Sequence, residues 1–150
     1  AGIPMELQRF LPYQLVVLAD AVSRSIAQVY AERFDLSRDE WRVLAALAKT
    51  GTMKSRDAAL YATLDKMQVS RAVAGLERAG LLTRTIDPED RRNRILELTA
   101  SGRELLRKLV PMVEAREAFL LEALAPEERA QLQSMIGRLT ERAQQLERHG

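Results

Sequence analysis

Two short clusters of hydrogen-bond donors set the first question. Lys66, Gln68, Ser70 and Arg71 share one polar stretch, and Arg91, Arg92 and Arg94 crowd another. These side chains donate to phosphate oxygens and base edges, and arginines on a projecting loop reach a phosphate backbone or a narrow, electronegative minor groove. The second cluster also holds Asp87, Glu89 and Asp90, carboxylates that fix guanidinium orientation by bidentate pairing. Any amphipathic surface helix can carry the first cluster, and the second also reads as a self-neutralising surface loop. The elements around them have to decide.

The chain has 150 residues and a formal net charge of +2, with 23 Lys and Arg against 21 Asp and Glu. Residues 54–94 hold 9 basic and 6 acidic side chains, so an excess of +3 falls in the middle of the chain. A local basic surface on a near-neutral protein suits an anionic partner. Cysteine is absent, which excludes disulfides, thiolate metal sites, cysteine nucleophiles and thiol redox sensing. The one histidine, His149, is next to last, so a histidine-rich metal site is excluded as well. The acidic pairs Asp39/Glu40 and Glu127/Glu128 sit where helix first turns favour carboxylates. No nucleophile–base pair or glycine-rich phosphate loop is present, and the reading is of a protein with no catalytic residue, no cofactor and no metal. No apolar run approaches the ~20 residues of a membrane span, and no signal-peptide pattern opens the chain, so no membrane partner and a cytoplasmic location are expected.

Periodicity places the clusters. Leu15, Leu18, Val22, Ile26 and Val29 mark a helix over about 12–34, with Pro12 in its first turn. Ser37 with Glu40 forms a capping box for a second helix, which carries Trp41, Leu44 and Leu47 and stops at Gly51. A short helix over 55–62 follows. Asp65 with Gln68 repeats the box for a helix that Gly80 ends. Around 82–86 and 95–98 the period changes to two, predicting a hairpin of two strands around the charged loop 87–94. Thr99 caps a long helix to about 124, Pro111 within it should kink it, and Pro126 starts a last helix striped by Leu132, Met135, Ile136, Leu139, Ala143 and Leu146. The expected class is mainly α with a small β-hairpin wing. Residues 55–99 then form a helix-turn-helix backed by that wing, and the N-terminal end of the second helix enters a major groove.

Four stretches resemble the MarR family of winged helix-turn-helix transcription regulators: 64–71 (LDKMQVSR), 76–82 (LERAGLL), 87–92 (DPEDRR) and 98–102 (LTASG). A weaker resemblance extends over 36–44. It implies one MarR-like domain over 1–150, with a DNA-binding lobe at about 36–99 and dimerisation helices at about 5–34 and 100–148. It further implies a homodimer on an inverted-repeat double-stranded DNA operator, and since a dimer covering promoter DNA blocks polymerase with no further contact, repression is expected ahead of activation. Lys66, Gln68, Ser70 and Arg71 would be groove and phosphate contacts, Arg92 the minor-groove arginine, and Arg91 and Arg94 backbone contacts, with Asp90 orienting a wing arginine. Thr63 stands where the family often has glycine, so the turn is expected to avoid positive φ. Tyr61, at a position usually polar, reads either as a phosphate contact or as packing on Leu64.

Family members often release DNA on binding a small aromatic anion between dimer helices and DNA-binding lobe. Arg24 and Trp41 are the candidates for pairing with such an effector and stacking on it. The reading preferred over that one is Trp41 as a core anchor and Arg24 as a surface or dimer ion-pair residue. The alternative for the whole chain is a winged-helix protein-interaction module without DNA binding, since fold alone does not fix function.

Overall fold

The computed structural model describes residues 1–149. They fall into two compact units, one ending at Val113 and the other starting at Glu114. After a short 3-10 turn at Leu7–Arg9, the elements are α1 (Leu11–Tyr30), α2 (Arg38–Leu47), β1 (Thr52–Lys54), α3 (Ser55–Ala62), α4 (Lys66–Arg78), β2 (Leu82–Ile86), β3 (Arg94–Leu98), α5 (Ala100–Leu121) and α6 (Pro126–His149). The class is mainly α with a small antiparallel sheet.

Local chemistry sets most of these boundaries. Ser37 Oγ accepts from the Glu40 N–H at 3.1 Å while Glu40 Oε1 accepts from the Ser37 N–H at 2.8 Å, a reciprocal box that starts α2. Asp65 and Gln68 do the same for α4 at 2.8 and 2.9 Å. Thr99 Oγ1 accepts from the Gly102 N–H and donates to the Gly80 carbonyl, joining the start of α5 to the end of α4. A Cβ on Gly102 would lie 2.1 Å from the Leu81 carbonyl oxygen, so glycine is what lets α5 approach that backbone. Pro111 lies inside α5 without ending it. Helix α1 stops at Tyr30, short of Phe34, because Asp35 takes a φ of 55° and the Leu36 N–H turns back to the Tyr30 carbonyl.

Two expectations are corrected. Thr63 does adopt positive φ, at 55°. The Thr63 N–H reaches the Leu60 carbonyl and the Leu64 N–H the Ala59 carbonyl, the bond pair of a Schellman motif, which needs a left-handed residue between them. Those bonds and the burial of Leu64 outweigh the roughly 1–2 kcal/mol that a left-handed non-glycine residue costs. The sheet, moreover, has three strands in the order β1–β3–β2. Strand β1 is too short to show an alternation, and β3 recruits it through Thr52 opposite Glu97 and Lys54 opposite Ile95. Arg94 opens β3 opposite Ile86 and so belongs to the sheet, outside the loop.

The core of the first unit joins Val43, Leu44 and Leu47 of α2, Val69, Val73 and Leu76 of α4, Leu82, Leu96 and Leu98 of the sheet, and Leu106 and Leu109 of α5. Only the C-terminal end of α1, at Val29 and Tyr30, is buried, and Leu15, Val16, Val17 and Leu18 are exposed. In the second unit Arg129 Nε donates to the Leu121 and Leu124 carbonyls, closing the turn into α6. No residue described in α6 is buried, and Met135, Ile136, Leu139 and Leu146 face water.

Two buried polar side chains shape the wing. Asn93, 7% exposed, accepts at Oδ1 from the Ser55 hydroxyl and from the Arg56 and Arg94 N–H groups. Ser55 Oγ in turn accepts from the Arg94 N–H at 3.1 Å, so the first residue of α3 is latched to the base of the hairpin. Asp87, 1% exposed, accepts from the Glu89 N–H at 2.9 Å and pairs with Lys54 Nζ at 3.4 Å. The Glu89 N–H, followed by Lys54, holds the Asp87 carboxyl below its ordinary pKa against the opposing effect of burial. Hydrogen bonding to Asp87 raises Lys54 in return.

Three outcomes are expected. Thr63→Gly should stabilise the protein by about 0.5–1 kcal/mol in urea unfolding, by removing the strain of a β-branched left-handed residue. Asn93→Ala should destabilise it by about 1–3 kcal/mol, since the Ser55 hydroxyl and the Arg56 N–H lose their acceptor and the Arg94 N–H loses one of its two. Because the folded pKa of Asp87 is depressed, its contribution is present above the ordinary 3.8 and lost as pH falls through the folded value. That of Lys54, whose folded pKa is raised, is present below 10.5 and lost as pH rises through its folded value. Amide protection at the hairpin base, followed by NMR hydrogen exchange, should fail in acid below 3.8 after correction for intrinsic rates. A loss near neutral pH would contradict this lock.

Candidate nucleic-acid interface

Helix α4 buries Val69, Ala72, Val73 and Leu76 and leaves Lys66, Met67, Ser70 and Arg71 exposed in its first turns. Its free N–H groups and dipole add positive potential at the same end. Gln68 is half-buried, with its side-chain carbonyl committed to the Asp65 N–H. The capping box therefore restrains a side chain that the sequence places among the groove contacts.

On the hairpin the three arginines differ. Arg92 projects, its side chain 92% exposed, and Asp90 Oδ1 accepts from its N–H at 3.1 Å and its Nε at 3.3 Å. The Arg92 N–H, then the Arg92 side chain, hold the Asp90 carboxyl below the usual carboxylate range. Arg94 is half-buried and donates to the Arg91 and Asn93 carbonyls, so its guanidinium braces the loop. Arg91 is exposed. Of the three loop carboxylates, Asp90 alone is seen on an arginine. Asp87 and Glu89 pair with Lys54, which arrives from β1.

A cleft of about 750 Å³ between α3, α4 and the hairpin collects Arg56, Lys66, Ser70, Arg84, Arg92 and Arg94 along its walls. Five cations thus meet around one carboxylate, Asp90. The cleft brings Lys66 and Ser70 together with Arg92 and Arg94, while Gln68, Arg71 and Arg91 lie outside its lining. Sequence reasoning missed Arg56 and Arg84. Arg84 sits opposite Leu96, two residues along from the Ile86–Arg94 pair, so the alternation of β2 already puts it on the same face as Arg94. It is tied by Nε to Glu77 of α4 at 3.2 Å, which links the helix to the wing.

Trp41 stacks on Tyr30, with ring centroids 6.0 Å apart and planes 10° from parallel. Arg24 is exposed on α1, six residues before Tyr30, which sets it about 9 Å along the helix and roughly 120° around it. The cation that shares a cleft with Trp41 is instead Arg42, in a space of about 520 Å³ also lined by Tyr61 and Thr63. Tyr61 is exposed there while Leu64 is buried. Among the described residues no group of three or more His, Asp or Glu is placed to hold a metal, and no helix is long and apolar enough to cross a membrane.

Residues 34–93 match the MarR family model. The regulator YdcH of Bacillus subtilis is 30% identical over 69% of this chain and 74% of its own length. The HTH-type transcriptional regulator FarR of Neisseria gonorrhoeae is 28% identical over 70% and 72%. Among solved structures, a MarR family regulator from Silicibacter pomeroyi aligns with a TM-score of 0.77 at 27% identity over 93% of both chains. BpsR of Bordetella bronchiseptica aligns with a TM-score of 0.81 at 23% identity over 92% of this chain and 98% of its own. Fold, wing and sequence agree with these relatives, and the chain belongs to the MarR family of winged helix-turn-helix transcriptional regulators.

Proposed function

We propose that this regulator is a sequence-specific double-stranded DNA-binding repressor that acts as a homodimer and is released by a small aromatic acid. The observation that carries the reading is the single cleft in which cations from α3, α4, β2 and the hairpin converge. A duplex fits such a concavity with α4 in the major groove and the Arg92 tip at the adjacent minor groove. Lys66, Ser70, Arg71 and Arg91 serve as further groove and phosphate contacts, Gln68 contributes from its capped position, Arg94 braces the loop, and Asp90 orients Arg92. The dimer is supported by the large apolar side chains that α1 and α6 leave in water, Leu15, Val16, Val17 and Leu18 on one and Met135, Ile136, Leu139 and Leu146 on the other, since exposed apolar groupings mark interaction surfaces. Blocking a promoter by occupancy needs no further contact, which favours repression.

The effector reading is supported by two structural relatives. NadR was solved in complex with 4-hydroxyphenylacetate, and DNA binding by BpsR is regulated by 6-hydroxynicotinic acid. In this chain the aromatic surface is Trp41, and the candidate cations are Arg24 and Arg42, of which Arg42 shares its cleft. Isothermal titration with 4-hydroxyphenylacetate should show binding that Arg42→Ala weakens about tenfold or more, in line with loss of a charge-assisted carboxylate contact. Unchanged affinity in both Arg42→Ala and Arg24→Ala would remove this site.

Selection of duplexes from a random pool tests DNA recognition. The wild-type protein should enrich an inverted repeat with half-sites about 10 bp apart, and Arg92→Ala should lose most of that enrichment. Binding should weaken steeply with salt, as expected for about 6–10 phosphate contacts per dimer, and Lys66→Ala should lower the slope by about two, one for each protomer. Failure to enrich any sequence at low salt, or affinity indifferent to salt, would favour a protein-interaction module instead.

A further inference from the structure

Within residues 36–99, four large apolar side chains stand more than half in water: Leu60 at 75%, Tyr61 at 77%, Met67 at 66%, and Ile86. The first three flank the turn between α3 and α4, next to the cationic cleft. Met67 is the second residue of α4, and Ser70 and Arg71 follow at three and four residues, so these three share one exposed helix face. That face opens with a thioether where a base-reading donor would stand. Gln68, the next polar side chain, has its carbonyl held in the cap of α4. Leu60 lines the same cleft as Lys66 and Ser70 and extends the apolar surface onto α3.

The charges that line the cleft with Leu60, from Lys66, Arg56 and Arg92, call for a polyanionic occupant beside the face that carries Met67. Major-groove base edges offer donors, acceptors and one apolar group, the thymine C5-methyl. A methionine makes no strong hydrogen bond, and its flexible, polarisable side chain packs on small apolar groups. We propose that Met67 is a specificity-determining residue that reads the C5-methyl of a thymine in each half-site. The inference rests on the DNA-binding reading above and adds to it one base identity and the side chain that selects it.

The test uses the most enriched duplex from the pool selection, with thymines replaced one at a time by deoxyuridine, a change that removes only the methyl group. Binding is read by fluorescence anisotropy for the wild-type protein and for Met67→Ala, with circular dichroism confirming that the exposed substitution leaves the fold intact. At one thymine per half-site, deoxyuridine should weaken wild-type binding about fourfold, equivalent to ~0.8 kcal/mol for one buried methyl. Met67→Ala should bind the thymine and deoxyuridine duplexes equally, the sign of a lost pairwise interaction. Equal binding of all duplexes by the wild-type protein, or a thymine preference retained in Met67→Ala, overturns the inference and leaves DNA binding standing. Absence of binding to any duplex overturns it together with the reading on which it rests.

Discussion

Asn93 Oδ1 joins the start of α3 to the base of the hairpin. It accepts from the Ser55 hydroxyl and the Arg56 N–H at the start of α3, and from the Arg94 N–H at the start of β3. A hairpin fastened only by its own ladder could swing relative to the helices. One fastened at its base to α3, and through Asp87 to Lys54 of β1, has its tip direction fixed before any partner arrives. Both side chains are buried, and a buried polar group is costly unless it is partnered. Asn93 Oδ1 has its donors, and Asp87 has the Glu89 N–H on one oxygen and the Lys54 ammonium beside the other, so the low-energy wing position is the one that keeps these partners. The rest of the cationic cleft follows from that position.

On the proposed DNA-binding reading preorganisation matters, because long cationic side chains bind phosphate at the expense of their own freedom. Asp90 holds the projecting Arg92 from two directions, and Glu77 holds Arg84 against α4. Arg94 spends its guanidinium on loop carbonyls. The hairpin thus divides labour among similar residues: one arginine reaches outward while others stiffen the platform beneath it.

How much of this could be read from the sequence depended on the range of each interaction. Both capping boxes, the bounds of α3, the hairpin and the stripes on α1 and α6 rest on residues a few positions apart, and the sequence displays them directly. The Schellman turn at Thr63 was missed because the Leu64 N–H needs the Ala59 carbonyl, and the pull of a buried Leu64 depends on the finished core. Strand β1 was missed because its partner lies more than forty residues away. Lys54 lies in that strand, so its pairing with Asp87 was equally hidden, and the loop acids were read as partners for arginine. Donor identities in the candidate interface were readable at Lys66, Ser70 and Arg92. The bracing duty of Arg94 was not, because the Arg91 and Asn93 carbonyls that take its guanidinium are invisible in a pattern of side chains.

The central claim is that a duplex lies against the cleft between α3, α4 and the hairpin. An NMR titration of the labelled protein with its selected duplex, mapping backbone amides, tests this most directly. The account predicts that the strongest perturbations fall on residues 55–71 and 84–94, with Arg92 among the largest, while the exposed stripe of α6 stays unchanged once the dimer has formed. Perturbations centred on α6 or α1, with the α4 N-terminus and hairpin tip silent, would contradict it.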